Sequence, residues 1–400
     1  MALVRSKPSY SYTHHNNTRL VRGGKEYFAL LVDLINQARQ FIHLQVYIYD
    51  EDDTGQLVAD ALMAAARRGV AVYLLPDGYA SQDMSTAFVH QLEAAGIHFR
   101  FFQPILKSEY FYFGRRLHHK ILVVDGLHSL IGGVNISNKY NDGFGHPAWL
   151  DWAIYAQGDI VPELTRVCLE LFTRFGKERR KLLWQTQAVE GITLQDCAVR
   201  LRRNDWVQKR SQITTSYLEM FKDARSHIYI MCSYFLPGML LRKKMARAAK
   251  KGVRIKLVLA GVSDVMLAKH AERYIYRWIF NNNIEVYEYN QSVLHAKIAT
   301  YDGKWCTIGS YNVNNISAFA TIECNLDVKQ EAFAHSMQRH IEQIIDRDCE
   351  LVTEEDYRTR YNYFKRLYQH ACYQIVRMLF FLFTFYFKQR SFKAANSAKK

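Results

Sequence analysis

Two stretches of the chain share one rhythm of apolar and polar positions. Gln37–Gly78 runs from Ala38-Arg39 into an apolar strand, then an amphipathic helix ending in Arg67-Arg68-Gly69, then a second apolar run. Asp223–Gly261 repeats this order, its helix ending in Lys250-Lys251-Gly252. Cations in a helix's last turn meet its free carbonyls, and glycine just beyond takes the left-handed conformation that stops it. The parallel continues from "AAGIHFRFF" (Ala94–Phe102) to "NNNIEVYEY" (Asn281–Tyr289). Each then reaches an apolar strand with a polar mouth, "LHHKILVVDG" (Leu117–Gly126) and "LHAKIATYDG" (Leu294–Gly303). Ile97 to His118 spans 21 positions and Ile284 to His295 only 11, so the first copy carries an insertion of about ten residues around Lys107–Arg116. Strands alternating with helical patterns predict βαβ units, largely parallel pairing, and two similar α/β domains related by a pseudo-twofold. The polar, basic stretch Phe175–Gln212 predicts the boundary, which divides the chain into residues 1–195, 196–350 and a helical tail, 351–400.

The two polar mouths match position by position. The first reads His118-x-Lys120-x4-Asp125-x6-Gly132-Gly133-x-Asn135, and the second His295-x-Lys297-x4-Asp302-x6-Gly309-Ser310-x-Asn312. Residues two apart in a strand share a face, so each histidine projects with its lysine. The turn after the strand returns the chain and brings the asparagine beside that pair. The glycines allow the backbone to approach a ligand. Lysine for charge, asparagine for hydrogen bonds and histidine for proton or nucleophilic chemistry suit a phosphate. Ser310, where the first copy has Gly133, adds one hydroxyl to the second set. Asp125 and Asp302 stand where they would stabilise the turns. His119 faces away from His118 and reads as structural.

Composition narrows this little. The net charge of +15 attracts anions, whether nucleic acid, an anionic membrane or a phosphorylated substrate. The cysteines are seven in number, without a CxxC pair, which argues against a disulfide framework or a cysteine-rich zinc site. The N-terminus lacks the apolar core of a signal peptide, and no apolar run reaches the 18 residues or so of a membrane span. In the tail, Phe364, Tyr368, Cys372, Ile375 and Leu379 fall at helical spacing, and Met378–Phe387 is apolar nearly all round, with Lys388, Arg390 and Lys393 after it. Such a helix suits the surface of an anionic membrane.

The doubled motif resembles the phospholipase D superfamily, over most of the chain. "AAARRGV", "RRLHHK", "IGGVN", "SYFLPG" and "LHAKIATYDGKWCTIGSYN" are similar to bacterial cardiolipin synthases, notably the shorter B-type without N-terminal transmembrane helices. The resemblance implies two α/β/α sandwich domains with one active site between them. It implies catalytic His118, Lys120, Asp125, His295, Lys297 and Asp302, phosphate-binding Asn135, Asn312, Ser310 and Gly133, and histidine-orienting Asp151 and Glu323, one acid later in each half. One histidine would form a phosphohistidine while the other serves as acid and base, without metal or cofactor. The residues leave open which is which; the resemblance favours His118 as nucleophile. It further implies phosphatidyl transfer between two phosphatidylglycerols at the cytoplasmic face of the bacterial inner membrane, with phospholipids and an anionic membrane surface as partners. Nucleic acid is not among the expected partners, and a homo-oligomer stays open. A phospholipid hydrolase or a nuclease of the same superfamily is the alternative, because fold alone does not choose the substrate.

Overall fold

The computed structural model describes residues 11–104, 115–173, 195–314, 317–318 and 321–379. Residues 105–114 of the insertion, 174–194 of the connection and 380–400 of the tail lie outside them, and with them the apolar run after Leu379.

Each half is built on one mixed sheet. In the first, the strands lie in the order Thr13–Arg22, Trp152–Gly158, His128–Gly132, Ile121–Val124, Phe41–Val46, Ala71–Pro76 and His98–Phe99. In the second, the order is Asp196–Asp205, Thr321–Lys329, Trp305–Gly309, Lys297–Tyr301, His227–Cys232, Arg254–Ala260, Glu285–Tyr289 and Cys349–Val352. The expectation of largely parallel pairing is corrected here. Parallel pairing within each sheet is confined to three βαβ strands, the last three in the first sheet and His227–Tyr289 in the second. The motif strands are instead joined by three-residue turns, which reach only an antiparallel neighbour. Asp125 and Gly126 take φ of 54° and 68° there, and Asp302 and Gly303 take 50° and 63°.

The apolar run after each His-x-Lys alternates between two cores. Ile121 and Val123 join a core shared by both halves, which also holds Ile298, Ile308 and Leu326. Leu122 and Val124 join a core of the first half alone, with residues of the helices Lys25–Gln37 and Asp53–Arg67. The helices Val161–Phe172 and Glu331–Asp348 contribute to the shared core, giving each sheet helical cover on both faces. Each buried branched side chain is worth about 1.5–3 kcal/mol, so the strand that carries the histidine is held from both sides.

The halves are also stitched by backbone. Arg116–Leu117 pairs in parallel with Thr321–Ile322, and His118 N donates to Ile322 O at 3.0 Å. On the other side Leu150 bridges Leu294, and His295 N donates to Leu150 O at 2.8 Å. Each His-x-Lys segment thus leaves the opposite half's chain and enters its own sheet. Residues 363–379 form a helix whose Cys372 and Val376 pack against Leu236 and Ala271 of the second half. No helix among the described residues is long and apolar enough to cross a membrane.

Candidate active site

The stitching places each motif histidine against an acid of the other half. His118 Nδ1 lies 2.9 Å from Glu323 Oε2, and His295 Nδ1 lies 2.6 Å from Asp151 Oδ2. The expectation that each histidine takes its acid from later in its own half is corrected: each acid lies against the histidine of the other half. A carboxylate on Nδ1–H leaves Nε2 as the nitrogen available to a substrate. The two acids are held differently. Ser310 and Thr321 both donate hydroxyls to Glu323, the latter at 2.6 Å. Asp151 receives the N–H of Trp152 at 2.8 Å.

The lysines sit beneath the histidines and are almost fully buried. Lys120 Nζ donates to the carbonyl of His118 at 3.0 Å and lies 5.0 Å from the centre of the Tyr47 ring. Lys297 Nζ donates to the carbonyl of His295 and to Ser233 Oγ, the latter at 3.1 Å. Burial and the neighbouring Lys297 charge bring Lys120 down to about 7. Burial also lowers Lys297. His118 is lowered by burial and by both lysines, against the opposing pull of Glu323. His295 is lowered further, by burial, both lysines and His118. Burial raises Asp151 to about 7, despite Lys297 and the Trp152 N–H. Burial first and the lysine charges second thus disfavour the protonated form of both imidazoles. His295 and Asp151, in direct hydrogen-bond contact, titrate as a pair.

Both histidines line one cavity of about 500 Å³, together with Asn135 and Asn312. Asn135 is committed at its oxygen to the N–H of Ile48 at 3.1 Å, and its nitrogen donates to Tyr140 OH at 2.8 Å. Tyr140 in turn sets its ring edge to His295, at 5.1 Å between centroids. Asn312 accepts a weak contact from Cys232 Sγ at 3.9 Å. One wall is apolar and comes from the second half, with Leu236, Val265, Leu267 and Ala268, and from the tail helix packed on it, with Val376 and Leu379.

Four of the expected site residues lie elsewhere. Asp125 accepts from the N–H groups of Arg39, Gln40 and Phe41, each at 2.8 Å, at the far end of its strand. Asp302 does the same for Arg225, Ser226 and His227 at 2.7–2.9 Å. Asp125 and Asp302, expected as catalytic, each staple the loop before the neighbouring strand, at the end of the motif strand away from the histidine. Ser310 spends its hydroxyl on Glu323, and a Cβ on Gly133 would meet both carboxylate oxygens of Asp151 at 2.4 Å. These two positions, expected to bind phosphate, each stand against one of the acids. His119 is buried against Gln45 Oε1 at 3.3 Å, as its outward register requires.

Comparisons with known proteins show the family of the chain. The family described as "Cardiolipin synthase, PLD-like domain" matches twice, over residues 31–143 and 217–345. The chain belongs to that family. It is similar to the cardiolipin synthase B of Escherichia coli strain K12, 33% identical over 86% of this chain and 84% of that protein. A cardiolipin synthase of Alkalihalophilus pseudofirmus is 28% identical over 78% of this chain and 62% of its own length. The crystal structure of a phosphatidylserine synthase from Haemophilus influenzae shares the fold, with a TM-score of 0.70 at 14% identity, over 92% of this chain and 96% of that one.

For this member of the cardiolipin synthase family, the motif spacing missed the aromatic collar. Tyr47 sets its edge to the His118 ring at 4.8 Å, and Tyr140 and Trp149 flank His295. Tyr234 lines the same cavity and donates to Asp264 Oδ1 at 2.5 Å. Tyr47 stands one residue beyond a repeat strand, as Ser233 does in the other half, where each meets its lysine. Aligning the ends of the repeat strands would have found that pair. Trp149 carries no such signal.

Proposed function

We propose that the protein is a cardiolipin synthase, transferring a phosphatidyl group from one phosphatidylglycerol to another. The reading is carried by two acid-backed imidazoles facing one cavity whose second-half wall is apolar. The names of the similar curated proteins support the same reaction. His118 is the nucleophile in this reading. Its Nε2 lone pair attacks phosphorus, and the bond to the glycerol oxygen breaks while His295 Nε2–H protonates that oxygen. The neutral His295 then takes the proton of the second lipid's hydroxyl, whose oxygen attacks phosphorus and releases His118. A phosphohistidine is cationic, so it benefits from the acid best held as a carboxylate. Glu323, with two hydroxyl donors, answers that need, whereas Asp151 is raised to about 7 by burial and suits the proton-shuttling partner. The substrate phosphate brings the missing negative charge to Lys120 and Lys297, which lets His295 take up a proton for its acid step.

The catalytic units in this reading are residues 1–195 and 196–350, with 351–400 as a membrane-associating tail. The protein works as a peripheral enzyme of the cytoplasmic face of the bacterial inner membrane. Mass spectrometry of products from the purified protein with phosphatidylglycerol tests the reaction. Cardiolipin with free glycerol is the expected result. Phosphatidic acid as the main product would make it a hydrolase, and loss of cardiolipin formation in neither His118→Ala nor His295→Ala would overturn the shared site.

A further inference from the structure

The two halves are alike in fold but opposite in the character of their rims. After its first repeat strand the first half runs Asp50, Glu51, Asp52, Asp53, whereas the second runs Leu236, Pro237, Gly238, Met239, Leu240 and then Arg242, Lys243, Lys244. After its second repeat strand the first half has "GYASQDM" at Gly78–Met84 and the second has "GVSDVML" at Gly261–Leu267. Exposed large apolar side chains follow suit. On the second half they include Met239, 82% exposed, with Leu240, Val262, Val265, Met266 and Leu267; in the matching first-half segments only Leu57 and Tyr79 qualify.

The helix at 363–379 extends this rim. Its positions 372 and 376 are buried against Leu236 and Ala271 of the second half, and Gln369 is buried against the Tyr357 hydroxyl. At 100° per residue, Phe364, Leu367, Tyr368, Ile375 and Met378 fall on a separate face, and all are exposed, Phe364 at 77%. The helix therefore has two apolar faces, one packed and one exposed, on which Tyr368, alone of the stripe among the described residues, meets a second-half ring, that of His270 at 4.9 Å. Val265, Leu267 and Leu379 are both exposed and part of the cavity wall, so this surface runs without a break into the active site. Arg242, Lys243 and Lys244 follow directly on Met239–Leu240, so cations border the apolar rim of the second half, while Arg366 and Arg377 lie on the other side of the tail helix, over the Tyr357 and Tyr373 rings. Cations bordering an apolar face fit an anionic lipid surface, and they disfavour a second copy of a chain with net charge +15.

We propose that the second half alone docks on an anionic phospholipid bilayer, through Met239, Leu240, Val262, Met266 and the outward stripe of the helix at 363–379. The cavity then opens to lipid on the second-half side and to water on the first-half side, past the acidic Asp50–Asp53 rim. Lipid substrates enter from the bilayer with their chains against Val265, Leu267 and Leu379, and a water-soluble leaving alcohol departs past the first half. The directional part rests on the phospholipid reading given above; the docking part does not.

The full-length protein is co-sedimented with phosphatidylglycerol–phosphatidylcholine vesicles, and its turnover is measured separately on dihexanoyl phosphatidylglycerol below its micelle concentration. Met239→Asp with Leu240→Asp, and Phe364→Asp with Leu367→Asp, should each weaken vesicle binding at least about tenfold and leave turnover of the soluble lipid unchanged. Leu57→Asp with Tyr79→Asp in the first half should leave both unchanged. Undiminished vesicle binding by both second-half pairs would overturn the proposal. So would an equal loss from the first-half pair, or a dimer that these pairs split while vesicle affinity stays constant. Failure of the parent protein to turn over the soluble lipid would instead count against the substrate reading, with co-sedimentation still deciding the docking.

Discussion

Lys120 and Lys297 charge the same buried space, and the pH response of the site follows from that. Burial and Lys297 bring Lys120 to about 7, so its ammonium is lost as pH rises through neutrality in the empty site. Both histidines are lowered, so a neutral nucleophile persists below the usual 6.5 and is lost only as pH falls further. For kcat/KM, which reports the free enzyme, the basic limb should therefore begin near pH 7 and the acidic limb below 6.5. A phosphate bound between the lysines raises them, so the basic limb of kcat should move to higher pH. Rate profiles on dihexanoyl phosphatidylglycerol check this; a kcat/KM flat from about pH 7 to 9 would refute it. The residue types of the site were legible in the chain because phosphate chemistry needs them at fixed spacing. The acids' supports were not. Gly133 and Ser310 occupy one motif position, yet one makes room for Asp151 and the other holds Glu323, a difference set by the length of an acid far off in sequence.

On the scale of single elements, the motif strand does two jobs at its two ends. The histidine end faces the cavity, while the aspartate end caps three successive N–H groups of a neighbouring loop. For Asp302 those bonds outweigh a desolvation that would raise it, and the carboxyl is held below its ordinary range. A depressed carboxyl contributes stability above its unfolded pKa that is lost as pH falls through the folded value. Replacing Asp302 by alanine should thus cost about 2–4 kcal/mol of stability, seen as a lower Tm, while turnover of the folded protein at low temperature survives. Lys297→Ala should show the reverse, activity lost with little change in Tm. If Asp302→Ala kept its Tm and lost turnover, the aspartate would belong to the chemistry after all. The repeat strands and helices were readable from apolar periodicity and the basic-pair-glycine stops. Antiparallel pairing of the motif strands was less visible, because the βαβ pattern of each half implies parallel neighbours and an Asp-Gly turn fixes only the two strands it joins.

Across the whole molecule, the repeat makes one site by exchange. His118 and Glu323 are separated by 205 positions and His295 and Asp151 by 144, yet each pair bridges the halves within one chain. Spacing within a half could show that both motifs exist, but not that each would borrow its acid from the other. The shared apolar core and the backbone stitches between the halves, those at Ile322 and Leu150 among them, fix that exchange without a second chain. It follows that two defective proteins cannot repair one another. His118→Ala should lose about 10²-fold or more in phosphatidyl transfer, and so should His295→Ala. An equimolar mixture of the two, unfolded and refolded together, should remain as inactive as either alone. Sites formed between chains would behave differently, because mixed dimers would restore one intact pairing and return about a quarter of the parent rate. Cardiolipin formation in the refolded mixture, measured against the parent protein refolded alone, distinguishes the two cases.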